Sequence, residues 1–333
     1  MAVGSVLWIQ AETGAATTCD PAAIADLLTR TDGFVWVDVE EPDEGAGVLL
    51  REVFGFHPMA VADCLERNHV SRLHHYRDHL FLVLHKPHAG DRGHVHYLEL
   101  DQFVGPNYLV TTHGPRNPVV PLEALLTETR ETHKRLLAGR IAPRSPWALS
   151  YAVVSALTNS DERVINEVAA RVGRLEQRVM RQLDDDQPQA FLEELFTVRH
   201  ALLTMHTMAS QSMEIYSRAV RLTDSAPKAD VRLLGDLKDQ YQRLARISRS
   251  QLDFLQGVTD YYRTRTDTKM TIAAERLAVI AAVTLPVTAI SSVVGMNVIV
   301  NGETDPVLLG VLLGVMTALS VLLLRWARRQ GWW

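Results

Sequence analysis

The chain has 333 residues, room for two or three structural units, and a formal net charge of −5. That mild acidity argues against a nucleic-acid binder, which would present a basic face. Cys19 and Cys64 lie far apart with no Cys-x-x-Cys, which points away from a disulfide framework or a thiolate metal site and fits a reduced, cytosolic setting for the N-terminal part. Apolar residues make up 47% of the chain, an ordinary share, but their excess is gathered after Arg276. The opening MAVGSVLWIQ has no basic n-region and too short an apolar run for a signal peptide, so membrane insertion is expected from the C-terminal end.

Residues 1–145 alternate between strand-like and helix-like segments. SVLWIQ (5–10) and GFVWVDVE (33–40) carry the Val, Trp and Ile of strands. Between them, Asp20 and Pro21 predict a helix start, with Asp20 as cap. HLFLVLHKP (79–87) and YLELDQFVGPNYLVTTH (97–113) read as further strands, the second broken by a turn at Gly105-Pro106-Asn107. This is an α/β domain whose strand order periodicity does not determine.

From Ser145 the pattern turns helical. Ile165, Val168, Val172, Leu175, Val179 and Leu183 step by three and four, one apolar stripe on a helix. A break at Asp184–Pro188 and a second helix to about Leu222 make residues 146–227 a helical hairpin. After Lys228 no proline occurs before Pro286, and Leu237, Tyr241, Leu244, Ile247, Leu255, Val258 and Tyr262 keep helical spacing. Unbroken from 228 to 294, such a helix covers roughly 65 residues and about 100 Å. A rod of that length suits a helix that leaves a soluble body and crosses a membrane.

Leu277–Val294 and Val307–Leu324 contain no charged residue, and each is close to the shortest stretch that spans a hydrocarbon core. The rival reading is a buried helical hairpin in a soluble core. Lys269 and Arg276 precede the first span, Arg325, Arg328 and Arg329 follow the second, and the link between them holds only Glu303 and Asp305. The positive-inside rule then places both termini in the cytoplasm and the link outside, in the plasma membrane. The spans are read as about 274–294 and 307–326, with a loop at 295–306 and a tail at 327–333. Trp326, Trp332 and Trp333 fit an interfacial belt.

Thr271, Ala274, Ala278, Ala281, Leu285, Thr288 and Ser292 step by 3, 4, 3, 4, 3 and 4, forming a lane of mostly small or hydroxyl-bearing residues. Such a lane serves either close helix packing or a narrow aqueous path. Upstream, Asp253, Asp260 and Asp267 repeat every seven residues, either as a solvated face or as a feed of cations into the lane. Two helices cannot enclose water, so a pore requires several copies of the chain in closed rotational symmetry.

The first span ends at Gly295-Met296-Asn297, preceded by VTLPVTAISSVVGMN with Pro286 and Thr288. With two C-terminal spans and a basic, aromatic tail, this constellation resembles the CorA family of magnesium and divalent-metal transporters. FGFHPMAVADCLERNHVSRLHHYRDHLFLVL (54–84) and YLVTTH (108–113) are similar to the family's N-terminal domain. The resemblance implies an α+β cytoplasmic domain followed by long helices and two C-terminal transmembrane helices, assembled as a homopentameric funnel in lipid. It implies passive, channel-type conduction of hydrated divalent cations, Mg²⁺ and also Co²⁺, gated by intracellular Mg²⁺, with no organic cofactor. Gly295, Met296 and Asn297 would form the ion selectivity site. Thr271, Leu277, Ala281, Leu285, Thr288 and Ser292 would line the pore, with Leu277 and Leu285 as its constriction. Asp260 matches an acidic position near the inner end. Asp236, Asp239 and Asp253 are the acids offered for regulatory Mg²⁺ between subunits.

Ten of the 13 histidines fall between His57 and His113. His94 and His96 would share a face of a strand, and His75 and His79 a face of a helix, spacings that suit a transition metal as well as plain hydrogen bonding. This keeps a zinc transporter of the same architecture as the alternative reading, and a membrane-anchored scaffold without transport as another. No nucleophile–base signature, cofactor loop or phosphate-binding Gly-x-x-x-x-Gly-Lys motif occurs, so no enzyme is expected.

Overall fold

The computed structural model describes residues 3–68, 70–90, 94–181, 188–223, 227–297 and 306–329. The described chain divides into two units, Met1–Gln256 and Gly257–Trp333.

The first unit is built on seven strands: β1 (Val3–Gln10), β2 (Ala16–Thr18), β3 (Gly33–Val39), β4 (Arg72–His75), β5 (Leu80–Ala89), β6 (Val95–Val104) and β7 (Tyr108–Thr112). Their order is β2-β1-β3-β7-β6-β5-β4. Only β3 and β7 run parallel, with Val37 opposite Val110; the other neighbours are antiparallel. The parallel pair closes the sheet's centre around a long excursion through β4, β5 and β6, an order no local pattern specifies. The predicted turn at Gly105 stands, with its amide bonded to the Tyr108 carbonyl at 3.0 Å. Nearly every residue of β3, β5 and β7 is buried, as expected of strands covered on both faces.

Three short helices cover one face: α1 (Ile24–Leu28), α2 (Glu44–Glu52) and α3 (Pro58–Leu65). Each starts from a capped turn. The Asp20 side chain accepts from Ala22 N at 2.8 Å ahead of a 3-10 turn at Pro21–Ala23, and Asp43 accepts from Ala46 N at 2.7 Å. His57 Nδ1 plays the same part at α3, which assigns that histidine a structural duty. Beneath them Leu50, Phe56 and Val61 pack on Val37, Phe81 and Phe103, the Phe56 and Phe103 rings stacking with centroids 4.0 Å apart.

The opposite face carries α4 (Leu122–Leu137), α5 (Pro146–Met180) and α6 (Pro188–Leu222). The stripe from Ile165 to Val179 is buried as its spacing predicts; Leu183 lies outside the described residues. Arg178 near the end of α5 meets Glu194 near the start of α6 at 2.7 Å, as in the expected hairpin. A buried ionic group joins three elements here. Lys86 of β5 bonds Glu128 of α4, and Asp161 of α5 is buried beside them.

Helix α7 (Lys228–Asn297) is 70 residues long and contributes to both units. Its first turns are anchored in the first unit by buried Leu237, Tyr241 and Leu244 and by polar bonds. Ser145 donates to Asp230 at 2.7 Å, Tyr151 to Asp236 at 2.6 Å and Thr158 to Gln240 at 2.6 Å. The helix passes through Pro286, which has no amide hydrogen to give the Ala282 carbonyl. It also continues past Val294 through Gly295, Met296 and Asn297, one turn further than the sequence reading placed its end. Helix α8 (Pro306–Arg329) completes the second unit.

Burial pushes the Asp161 carboxyl well above the usual carboxylate range; the Glu128 charge adds to this and Lys86 opposes it. A carboxyl whose proton is held more tightly in the folded than in the unfolded chain stabilises the fold fully at low pH, and that contribution is lost as pH rises through the folded value. Asp161→Asn is therefore expected to flatten the decline of thermal stability as pH rises above the unfolded carboxylate value of about 4. Melting curves across pH check this, and an unchanged slope above that value would show that Asp161 does not titrate there.

Candidate functional site

In the second unit, α7 beyond Arg276 and α8 form a pair of apolar segments. Each helix is long and apolar enough to cross a membrane, and almost none of its apolar stretch is buried. Leu277 is 66% exposed, Leu285 67% and Val307 72%. Apolar surface on this scale requires lipid or other protein against it.

Exposure divides α7 into two faces. Val279 is buried and Val283, Pro286, Val287 and Ile290 are half-buried. The matching stripe on α8 is Leu312, Met316, Leu319, Leu323 and Ala327, and the Ser291 hydroxyl lies 3.9 Å from Met316 Sδ. Thr271, Leu277, Ala281, Leu285, Thr288 and Ser292, the predicted lining residues, are all exposed, as are Ala274 and Ala278. At 3.6 residues per turn their mean direction lies roughly 180° around the helix from the Val279–Ile290 stripe. The lane therefore does not serve packing between the two spans of one chain.

The hydroxyls on this face have a defined polarity. Thr271 donates to the Asp267 carbonyl at 3.0 Å and Thr288 to the Thr284 carbonyl at 2.8 Å. With its hydrogen given to the backbone, each hydroxyl oxygen keeps acceptor lone pairs to offer outward. A hydrated cation turns its water hydrogens outward, so acceptors are the complementary lining.

Gly295 is helical and exposed, and an added Cβ would meet nothing within 4 Å. Neither crowding within the chain nor a left-handed backbone requires glycine there. The side chains of Met296 and Asn297, and the link carrying Glu303 and Asp305, lie outside the described residues. The sequence reading placed these three residues in the loop that follows the span. In the structure they are its last turn, whose carbonyls lack the usual helical donors and carry the negative end of the macrodipole.

The candidate regulatory acids are dispersed. Asp236 accepts from Tyr151 and from Gln240 at 2.7 Å, Asp239 pairs with Lys238 at 3.2 Å, and Asp253 pairs with Arg249 at 3.2 Å. The Asp260 carbonyl accepts from Thr264 at 2.9 Å. Among the described residues of one chain no three His, Cys, Asp or Glu side chains converge as a metal site. The same holds for the histidines. His75 lies on β4 and His79 in the turn before β5, so no helix pairs them. His79 bonds Asp78 at 2.8 Å, and His85 is held between Ser71 and the Asn68 carbonyl, each at 3.0 Å. His94 and His96 do meet, with ring centroids 4.7 Å apart.

The sequence reading treated the second span only as a membrane crosser. The structure adds a groove on α8 between Leu313 and Arg325, on the face turned away from α7. Its signal was the spacing of Gly310, Gly314 and Ala318.

Comparison with known proteins follows this geometry. A family model described as CorA-like Mg²⁺ transporter protein matches residues 31–329. The chain is 25% identical over 304 residues to YfjQ of Bacillus subtilis, a protein named for metal ion transport, covering 89% of each chain. It is 22% identical over 292 residues to the cobalt/magnesium transport protein CorA of Thermotoga maritima, covering 84% of this chain and 78% of that one. Its fold is similar to the complete CorA magnesium transporter of Methanocaldococcus jannaschii, with a TM-score of 0.80, 16% identity and full coverage of both chains.

Gly295→Ala gains about 1 kcal/mol of helix propensity and meets no neighbour among the described residues of its own chain, so the melting temperature of the detergent-solubilised protein should hold or rise. A clear fall would place a close contact at Gly295 beyond those residues.

Proposed function

The chain belongs to the CorA-like Mg²⁺ transporter family, channel-type divalent-metal-ion transporters rather than enzymes, and on that premise we propose that several copies surround a water-filled axis with α7 and conduct hydrated Mg²⁺. The observation that carries this reading is the exposed lane from Thr271 to Ser292, set opposite the face of α7 that meets α8. With α8 on the outside, the lane turns to a shared axis. Closed symmetry repeats each lane residue as a ring, and resemblance to the family favours five copies. Mg²⁺ sheds water reluctantly, so a path lined by hydroxyl acceptors and small side chains passes it with its waters. Asn297 supplies a ring of amide oxygens at the outer mouth, where dipoles attract a cation without the grip of carboxylates.

Leu277 and Leu285 form apolar rings that close the path by excluding water. A divalent ion entering a cell at about 100 mV, inside negative, gains about 4.6 kcal/mol, so no nucleotide is needed. Arg276, Arg325, Arg328 and Arg329 set both termini in the cytoplasm by the positive-inside rule, in the plasma membrane. Asp236, Asp239, Asp253 and Asp260 supply carboxylates that only a neighbouring copy can complete into sites for intracellular Mg²⁺. Ion bound there favours the closed arrangement to the extent that it binds that arrangement more tightly.

Flux into proteoliposomes tests the reading. Purified full-length chain is expected to carry Mg²⁺ above empty vesicles, and Co²⁺ as well; flux of Zn²⁺ alone at matched free concentration would assign the zinc alternative. No flux of any divalent ion from folded, oligomeric protein would leave a scaffold. Asn297→Ala should reduce flux to the background of empty vesicles while the oligomer still elutes intact. Leu285→Ser should wet the constriction and raise flux at high internal Mg²⁺, where the unaltered protein is shut; equal inhibition in both would remove Leu285 from the gate.

A further inference from the structure

We propose that α8 carries a binding groove for an anionic phospholipid. The groove is a shallow, open depression on the surface of α8 alone. Gly314, Ala318 and Val321 lie along its middle, Leu313 and Leu322 at its sides, and Arg325 at its end. Nothing lies within 4 Å of a Cβ built at Gly314, so the middle is open. The Thr317 hydroxyl beside it donates to the Leu313 carbonyl at 2.8 Å, which satisfies its hydrogen within the helix. The channel up to Arg325 is thus apolar in character, and its closing group is a cation.

Length and depth select the occupant. From Leu313 to Arg325 is a rise of about 18 Å along the helix axis. A single leaflet of hydrocarbon is about 15 Å thick. The uncharged span runs from Val307 to Leu324, so the groove begins near its middle and ends at its basic edge. That is the reach of one acyl chain in one leaflet, with the headgroup at Arg325. A second helix packed on the Gly310, Gly314 and Ala318 spacing would continue across both leaflets.

Charge makes the same selection. Arg328 and Arg329 follow Arg325 by three and four residues and so share its side of the helix. The guanidinium fork of arginine suits phosphate oxygens. A parallel second copy brings three more arginines to the same level. An anionic headgroup complements this belt; another copy of the chain repeats it. A zwitterionic lipid offers the phosphate but also an ammonium that offsets it.

The proposal rests on the two-span membrane reading and not on ion conduction, and its test reads lipid rather than flux. Full-length protein in mild detergent is titrated with phosphatidylglycerol or phosphatidylcholine of equal chain length, and bound lipid per chain is counted by native mass spectrometry. Phosphatidylglycerol is expected to be retained in preference. Arg325→Gln should weaken that preference roughly fivefold, the worth of one basic residue at an anionic surface, and Arg325→Lys should keep most of it. Ala318→Leu, which fills the middle of the groove, should reduce retention of both lipids with the oligomer intact. Unchanged preference in Arg325→Gln overturns the proposal. So does loss of the oligomer in Ala318→Leu with lipid retention unaltered, which would seat a second copy in the groove.

Discussion

Hydrocarbon offers no partner to a bare amide or carbonyl, and this constraint governs the C-terminal part of the chain. It explains why α7 does not break between Leu277 and Val294 despite Pro286. Every turn there but the one at Pro286 satisfies its own backbone, and threonine hydroxyls bond carbonyls one turn back. What remains on the surface is then decided by side chains alone. One stripe is apolar and meets α8; the other, mostly small and hydroxyl-bearing with Leu277 and Leu285 among it, is exposed among the described residues. That division leaves a face of the kind self-association uses.

The soluble unit meets a different demand, which is to hold the start of a helix that extends far beyond it. Its sheet is buried on both sides, and the layer nearest α7 is fastened by hydrogen bonds from Ser145, Tyr151 and Thr158 as well as by apolar contact. Tyr216 and Tyr241 stack with ring centroids 5.7 Å apart where α6 meets α7. Burial raises the Tyr241 hydroxyl well above its ordinary value, with the Tyr216 and Asp161 charges adding to it. Directional bonds fix the helix's register where apolar packing alone would let it slide.

Much of this was legible beforehand, for reasons that differ by element. Pro188 and Lys228 mark the helix starts because proline and capping chemistry are local, and the stripe from Ile165 to Val179 has one helical solution. The order of the seven strands was not legible, since the β3–β7 pairing joins residues some seventy positions apart. The histidines divided by neighbours that sequence does not reveal: His57 caps a helix and His85 is locked in the core. The end of α7 fell one turn beyond expectation because the span was ended at the Gly295-Met296-Asn297 signature, whereas an isolated glycine costs a helix only about 1 kcal/mol. The groove on α8 was missed because its depth depends on which face α7 leaves uncovered.

Pro286 gives the long helix one built-in joint. Losing the bond to Ala282 lowers the bending stiffness of α7 at a single level, one residue from Leu285 and beside the stripe that meets α8. A tilt of the outermost turns can therefore be absorbed at that level, above the Leu277 ring position.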